Sequence, residues 1–171
     1  MRRLATLLIA LSAFAPVARA QTLADIDSRD AAVYAAWQLT PLTIQKSFFV
    51  TDATGFGQYT QRGSNVFKPG EKLVAYCEPV GYGWKDTGGG VYQFGFAIDL
   101  TVKSSDGKVV AQQQDFAKTQ LQSHARNREF MVLLTLTLNG APAGDYVLEY
   151  RLRDLTSDKS TLLDLPFKIG G

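Results

Sequence analysis

The chain has 171 residues, with 18 basic and 16 acidic side chains, one histidine and one cysteine. Three of the basic residues and none of the acidic ones lie in the first twenty positions, so residues 21–171 carry 15 basic and 16 acidic side chains. This balance excludes the basic surplus that is typical of nucleic-acid binding, and a single cysteine excludes an internal disulfide.

The first twenty residues, MRRLATLLIALSAFAPVARA, have the pattern of a secretory signal peptide. Two arginines precede an apolar run that is shorter than the roughly 20 residues of a membrane span. An A-x-A cleavage site ends at Ala20. The early arginine pair runs straight into the apolar segment, which favours ordinary Sec export. We therefore expect cleavage after Ala20, a periplasmic or secreted protein, and no stable membrane span after signal removal.

Helical spacing predicts one helix over residues 22–39, and Pro41 closes it because a proline disfavours helical geometry in the residue before it. Ile26, Val33 and Trp37 fall near one face of this helix. We expect that stripe to pack on the main domain, with a mobile leader as the alternative.

From residue 42 the hydrophobic period changes to two, which predicts β-strands. The clearest strand is 91–103, in which every second residue from Tyr92 to Val102 is apolar. The other predicted strands are 42–50, a weak strand near 57–62, 72–78, 109–116, 130–138, 146–155 and 161–169. Pro166 cannot donate to a ladder, so the last strand is predicted to be an edge strand or to be bulged. Turn clusters between strands favour an all-β sandwich.

The segments FKPGEKLVAY (67–76) and APAGDYVLEYRLRDLTSDKSTLLDLPFKI (141–169) resemble the strand starts of bacterial immunoglobulin-like β-sandwich modules. The chain as a whole also resembles a group of exported proteobacterial proteins of unassigned activity. The resemblance implies an antiparallel immunoglobulin-like sandwich of about seven to eight strands over 42–171, after a short helical segment over 21–41. It places Tyr146 in a tyrosine-corner-like position, its hydroxyl bonded to upstream backbone. It implies no activity, because unrelated functions share this fold.

Residue types for catalysis and metal binding are scarce. His124 lies in SHARNRE without a G-x-S-x-G elbow or a comparable signature. Cys77, His124 and Met131 show no local ligand spacing, so we predict no metal site, no cofactor and no enzymatic activity. A hydrolase or a metal carrier would require His124 to lie beside a serine and an acid, or beside sulfur ligands. Cys77 alternates with the apolar Leu73 and Ala75, which favours a buried thiol over a reactive thiol or an intermolecular disulfide.

Two aromatic–glycine stretches, GFGQYTQR (55–62) and GYGWKD (81–86), are candidates for a ligand surface. Their candidate contact residues are Phe56, Tyr59, Arg62, Tyr82, Trp84, Lys85 and Asp86. Such rings can grip a peptide or stack on sugars, or they fold back over the core while glycine permits the turns. We predict a cell-envelope binding module for a protein or a peptide, with no nucleic-acid partner. A carbohydrate-binding module that uses Tyr59, Tyr82 and Trp84 to hold a glycan is the alternative.

Arg126 and Arg128 form a further, polar candidate. Together with Glu129 nearby, they can clamp a carboxylate or a phosphate. Charges in a connection between strands are more often simply solvated. Arg151 and Arg153 are predicted to lie on the outer face of a sheet, where an ion pair is worth at most about 1 kcal/mol.

Overall fold

The computed structural model describes residues 21–171, and the expected signal peptide lies outside the described residues. One helix, α1 (Leu23–Leu39), precedes the strands. The ten strands are β1 (Thr43–Gly55), β2 (Gln58–Gln61), β3 (Val66–Phe67), β4 (Lys72–Val80), β5 (Lys85–Asp86), β6 (Tyr92–Ser104), β7 (Val109–Ser123), β8 (Val132–Thr137), β9 (Gly144–Asp154) and β10 (Ser160–Ile169). Within residues 21–171, no helix has the length and hydropathy that a bilayer crossing requires. Two strands, β3 and β5, have only two residues each and are too short to show an alternation in the sequence.

The strands form two sheets that are antiparallel except for one pair. The first sheet has the order β2-β1-β4-β8. The second has the order β3-β10-β9-β6-β5. Strands β9 and β5 pair with different parts of one edge of β6, and β7 pairs with the opposite edge. Only β3 and β10 run parallel. One apolar core contains buried side chains from both sheets, among them Leu73 and Leu134 of the first and Ile98 and Leu148 of the second. The two sheets therefore share a single interior.

The alternation predicted for 91–103 is confirmed in β6. Its apolar positions Phe94, Phe96, Ile98, Leu100 and Val102 are all buried in the core. Burial of one face of the strand is typical of an antiparallel sheet whose other face contacts solvent.

The helix is capped at its start and stopped by a proline at its end. The hydroxyl of Thr22 accepts a hydrogen bond from the Asp25 amide, and the Asp25 carboxylate accepts one from the Thr22 amide. This reciprocal arrangement is a capping box. The helix ends at Leu39, two residues before Pro41, in agreement with the predicted end.

The predicted apolar stripe of α1 is wrong for two of its three residues. Residues 21–33 are all exposed, and Ile26 and Val33 keep 50% and 40% of their surface in contact with solvent. Trp37 alone of the three is half-buried and packs against the core. The first turns of the helix extend past the domain, so burial reaches only its C-terminal turns.

The hydroxyl of Tyr146 donates to the carbonyl of Pro142 at 2.8 Å, the upstream bond that the resemblance implied. Pro166 lies in β10, which pairs with β9 without a register shift. On the opposite edge, β3 pairs only with Lys168 and Ile169. Both alternatives are therefore wrong for β10 as a whole, because β3 lies outside it and no bulge is found. Pro166 itself lies where this second side of β10 has no strand partner, so its missing amide proton costs no ladder hydrogen bond.

Strand β7 continues well beyond the predicted segment 109–116. A register shift divides it near Asp115, the only described non-glycine residue with positive φ, at 49°. The Asp115 amide donates to the Asp99 carboxylate at 2.9 Å, and Arg153 bonds to both carboxylates. The shift is even, since Leu100 pairs with Gln113 and Ile98 with Ala117, so the same face of β7 continues beyond it. In the second half that face carries Ala117, Thr119, Leu121 and Ser123, and Leu121 is 47% exposed, so the sequence shows no clear apolar alternation there.

Cys77 is 1% exposed and belongs to the core cluster. Burial raises the pKa of its thiol to about 12. The prediction of a buried thiol is confirmed.

A candidate binding cleft beneath the helix

The first aromatic–glycine stretch folds back onto the first sheet, on the face opposite the core. The ring of Tyr59 lies 4.7 Å from those of Phe48 and Tyr76, measured between centroids. The Gly57 amide donates to the Tyr76 hydroxyl at 2.9 Å, and that hydroxyl donates to the buried Glu78 carboxylate at 2.7 Å. Tyr59 therefore packs over a buried polar pair. It follows the alternative in which the aromatic rings fold back over the protein and do not form a ligand surface.

Arg62 is held by local contacts. Its guanidinium lies 4.3 Å from the centre of the Phe67 ring, pairs with Glu71 at 2.8 Å and donates to the Val66 carbonyl at 2.9 Å. Phe56, at the tip of the turn, keeps 36% of its surface exposed. Of this stretch, Phe56 is thus the one proposed aromatic contact that still faces solvent.

Tyr82 in the second stretch is wrong as a surface contact because none of its surface is exposed. Its ring packs against Phe94, Phe96 and Phe130. Burial raises the pKa of its hydroxyl above the ordinary range. Gly81 makes this inward turn possible: it has φ +80°, and a Cβ there would lie 2.5 Å from a backbone carbonyl oxygen.

The other residues of the second stretch lie at the edge of the second sheet. The half-buried Trp84 stacks on Trp37 of the helix, with 5.4 Å between ring centroids. Lys85 and Asp86 form the exposed strand β5, and Asp86 accepts a hydrogen bond from its own turn at Gly88. The three rings Tyr59, Tyr82 and Trp84 therefore do not form one surface, and a sugar platform made of them is absent.

Tyr82 and Trp84 instead fix the connection between β7 and β8. The Tyr82 hydroxyl and the Trp84 indole both donate to the carbonyl of Asn127, at 2.8 and 2.9 Å. Two hydrogen bonds on one carbonyl hold this point of the connection against the core. The arginines on either side of it, Arg126 and Arg128, are thereby presented to the helix above.

Both arginines lie over Tyr34 of α1. The guanidinium carbons of Arg126 and Arg128 are 5.4 and 5.6 Å from the centre of its ring. Arg126 is also 4.9 Å from the ring of Tyr92. These distances are within the range of cation–π attraction, which extends to about 6 Å.

The space between the helix and this connection is a cleft of about 580 Å³. We call it the arginine cleft; it is lined by Tyr34, Trp37, Arg126, Asn127, Arg128 and Glu129. The lining combines two cations, one exposed acid and two aromatic rings. It can therefore bind an anionic group and an apolar surface at the same time.

The helix that roofs the cleft is docked through its C-terminal end. The Trp37 indole donates to the Tyr82 carbonyl at 2.7 Å. The ammonium of Lys159 donates to three carbonyls, those of Gln38, Thr40 and Gly81, at 2.7–2.8 Å. A cation at a helix C-terminus also interacts favourably with the helix dipole. The C-terminal end of α1 is therefore docked on the domain and is not part of a mobile leader.

A second, shallower depression of about 420 Å³ contains His124. It is lined by Tyr34, Tyr92, His124, Ala125 and Arg126, with neither a serine nor a carboxylate among them. Among residues 21–171 there is no group of three histidine, cysteine, aspartate or glutamate side chains placed to hold a metal ion. The convergence that a hydrolase or a metal carrier requires is not found around His124.

Tyr34, Trp37 and Tyr92 were not identified as site residues from the sequence, and the two arginines were more simply explained as solvated. No local sequence pattern connects the tyrosines, the tryptophan and the arginines, because they lie in three segments that are far apart in the chain. Comparison of the chain with protein-family models, with curated proteins and with solved structures gives no match.

Proposed function

We propose that the protein is an exported, non-enzymatic binding module of the cell envelope that engages a protein or peptide partner at the arginine cleft. The observation that carries this proposal is the pair Arg126 and Arg128, held over Tyr34 beside Trp37. Arginine, tyrosine and tryptophan are the residue types that dominate binding energy at protein interfaces. The pattern of residues 1–20 supports export.

The strand order supports an immunoglobulin-like sandwich as the framework. Strands β1-β4-β8 and β10-β9-β6 follow the neighbour orders A-B-E and G-F-C of that fold. The connection that carries the arginines links β7 to β8 at one end of the sheets. Connections at the ends of such sandwiches commonly carry binding residues on a rigid scaffold.

The cleft is also organised in advance of binding. The double hydrogen bond on Asn127 fixes the connection, and the ammonium of Lys159 fixes the helix. Ordering a loop on association costs free energy, so this arrangement lowers the cost of binding. Its volume of about 580 Å³ lies within the usual range of ligand sites, about 300–1,000 Å³.

A capture experiment with matched variants tests the proposal. Residues 21–171 are immobilised as wild type, as Arg126→Ala/Arg128→Ala, and as Arg151→Ala, which removes an exposed arginine on the outer face of the second sheet. Envelope extract from the organism that makes the protein is passed over each, and retained proteins are quantified by mass spectrometry.

We expect a protein that wild type and Arg151→Ala retain equally and that the double variant retains at least about tenfold less, as for truncation at an interface hot spot. Circular dichroism confirms that all three are folded. Failure to retain any protein reproducibly, or equal retention by the double variant, contradicts the proposal.

A further inference from the structure

We infer that the arginine cleft binds an acidic peptide segment, with a carboxylate on Arg126 as the central contact. The inference rests on the proposed function and specifies the chemistry of the partner. Arg126 differs from the other half-buried arginines of residues 21–171 in the contacts that surround its guanidinium.

Arg126 is a half-buried cation without an anionic partner among residues 21–171. Its guanidinium lies within cation–π distance of the rings of Tyr34 and Tyr92 and has no hydrogen bond or ion pair with a described residue. By contrast, the half-buried Arg62 pairs with Glu71 at 2.8 Å, and Arg153 pairs with Asp99 at 2.9 Å. No nitrogen of Arg126 is among the buried side-chain atoms without a partner in residues 21–171, so its guanidinium is open to solvent. A carboxylate from the partner can therefore bind it without displacing an internal ion pair.

Arg128 offers a second contact that is nearly as open. Its carboxylate partner is Asp30 on the helix, at 3.9 Å, and both side chains are about half exposed. Such a long, exposed pair contributes little, so a ligand carboxylate replaces it at small cost. The two guanidinium carbons both lie within 5.6 Å of the centre of the Tyr34 ring, where one segment of peptide can reach both.

The charges of the lining favour carboxylate over phosphate. Asp30 pairs with Arg128, and Glu129 lines the cleft itself, so two acids offset the two arginines. A singly charged carboxylate gains the planar, bidentate fit of a guanidinium. A doubly charged phosphate gains the same fit and meets more repulsion from the two acids. Residues 21–171 also have one more acid than base, which gives no general attraction to a phosphate-rich surface.

The helix supplies apolar contact for the rest of the peptide. Ile26 and Val33 lie one turn before and one turn after Asp30, and both are exposed. Trp37 and Tyr34 continue the same side of α1 into the cleft. A segment that alternates acidic and apolar side chains fits this combination of surfaces.

Intrinsic fluorescence gives a direct measurement, because both tryptophans of the chain, Trp37 and Trp84, stack at the cleft. The probe is unlabelled hexaglutamate at low ionic strength, with hexaglutamine as the uncharged control. Phosphatidylglycerol vesicles and inorganic phosphate are the other anion sources. We expect hexaglutamate to bind with a Kd below about 1 mM and to change the tryptophan emission, with no binding of hexaglutamine.

Matched variants locate the site. Arg126→Gln and Arg151→Gln remove the same charge, but only the first lies in the cleft. We expect Arg126→Gln to weaken hexaglutamate binding about tenfold, and Arg151→Gln to weaken it less than twofold. Arg126→Lys keeps the charge without the planar fork, and we expect an intermediate loss. Thermal unfolding establishes that each variant is folded.

Three results would overturn the inference: no binding of hexaglutamate, an equal effect of Arg126→Gln and Arg151→Gln, or tighter binding of the vesicles or of phosphate than of the peptide. The capture experiment separates this failure from that of the proposed function. If an envelope protein is retained through Arg126 and Arg128 while hexaglutamate does not bind, the binding function stands and the acidic-peptide inference fails.

Discussion

Removing one hydroxyl from each of two tyrosines in strand β9 should change stability in opposite directions. Tyr146 and Tyr150 are both buried, at 8% and 0% exposure. The Tyr146 hydroxyl donates to the Pro142 carbonyl at 2.8 Å. The Tyr150 hydroxyl is buried with no hydrogen-bond partner among residues 21–171, and burial raises its pKa. The substitutions Tyr146→Phe and Tyr150→Phe remove the same atom. They differ in whether the hydroxyl that is removed makes a hydrogen bond.

The magnitudes follow from the two environments. Tyr146→Phe loses one hydrogen bond, worth about 1 kcal/mol, and the exposed Pro142 carbonyl regains water. Tyr150→Phe removes a hydroxyl whose burial without a partner costs about 1–3 kcal/mol, and the small void that remains cancels part of the gain. We expect Tyr150→Phe to stabilise by about 1 kcal/mol. The two variants should therefore differ by about 2 kcal/mol, or about 4–8 °C in Tm for a chain of this length.

Urea unfolding followed by circular dichroism measures the difference. The midpoints should lie on opposite sides of the wild-type value at equal slope, because the surface exposed on unfolding is unchanged. If Tyr150→Phe destabilises the protein as much as Tyr146→Phe does, the Tyr150 hydroxyl has a partner such as a buried water, and the reasoning is refuted.

Three further predictions concern the core, the helix and the outer sheet face. Cys77 should resist thiol reagents in the native protein at pH 8 and react fully in urea, because burial raises its pKa to about 12; rapid native labelling would refute this. Lys159→Met should speed proteolytic cleavage within 23–39, since three carbonyls lose their shared donor; an unchanged cleavage rate would count against the docking role. The hydrogen bond from Arg153 lowers the pKa of Asp99 below 3.8, so this carboxylate stabilises the fold above that pH and loses its effect as pH falls through the lowered value. Urea unfolding should therefore show Asp99→Asn costing at most about 1 kcal/mol at pH 7 and progressively less in acid; a constant cost would contradict the ion pair.

Much of the β-structure could be predicted from alternation because most strands have one face in the core. The prediction fails where that condition ends. In the second half of β7, the face that continues the core-facing side carries Ala117, Thr119 and Ser123, so it shows no apolar alternation. In the helix, Ile26 and Val33 have the right spacing, but no part of the described chain extends far enough to cover them. Spacing identifies a face and does not show whether a neighbour reaches it.

The candidate site was less predictable for a related reason. Flanking glycines made Tyr82 a candidate ligand contact and left open whether its ring faces solvent or the core. Gly81 allows the chain to turn inward where a side chain would collide with backbone. Tyr34 and Arg126 of the arginine cleft, and Tyr92 beside Arg126, become neighbours only once both sheets and the helix are assembled. The local sequence identified Arg126, Arg128 and Glu129 as a candidate clamp, and it missed Tyr34 and Trp37, which line the same cleft from the helix.

The bulge in β7 also has a consequence for the protein at high concentration. The outer edge of this strand pairs with no other strand in residues 21–171, and an open edge is a template for aggregation. The kink at Asp115 divides this edge into two short stretches, and the charged Lys118 interrupts the longer one. Another chain cannot add in register along the full length of β7, so the register shift limits polymerisation through this edge.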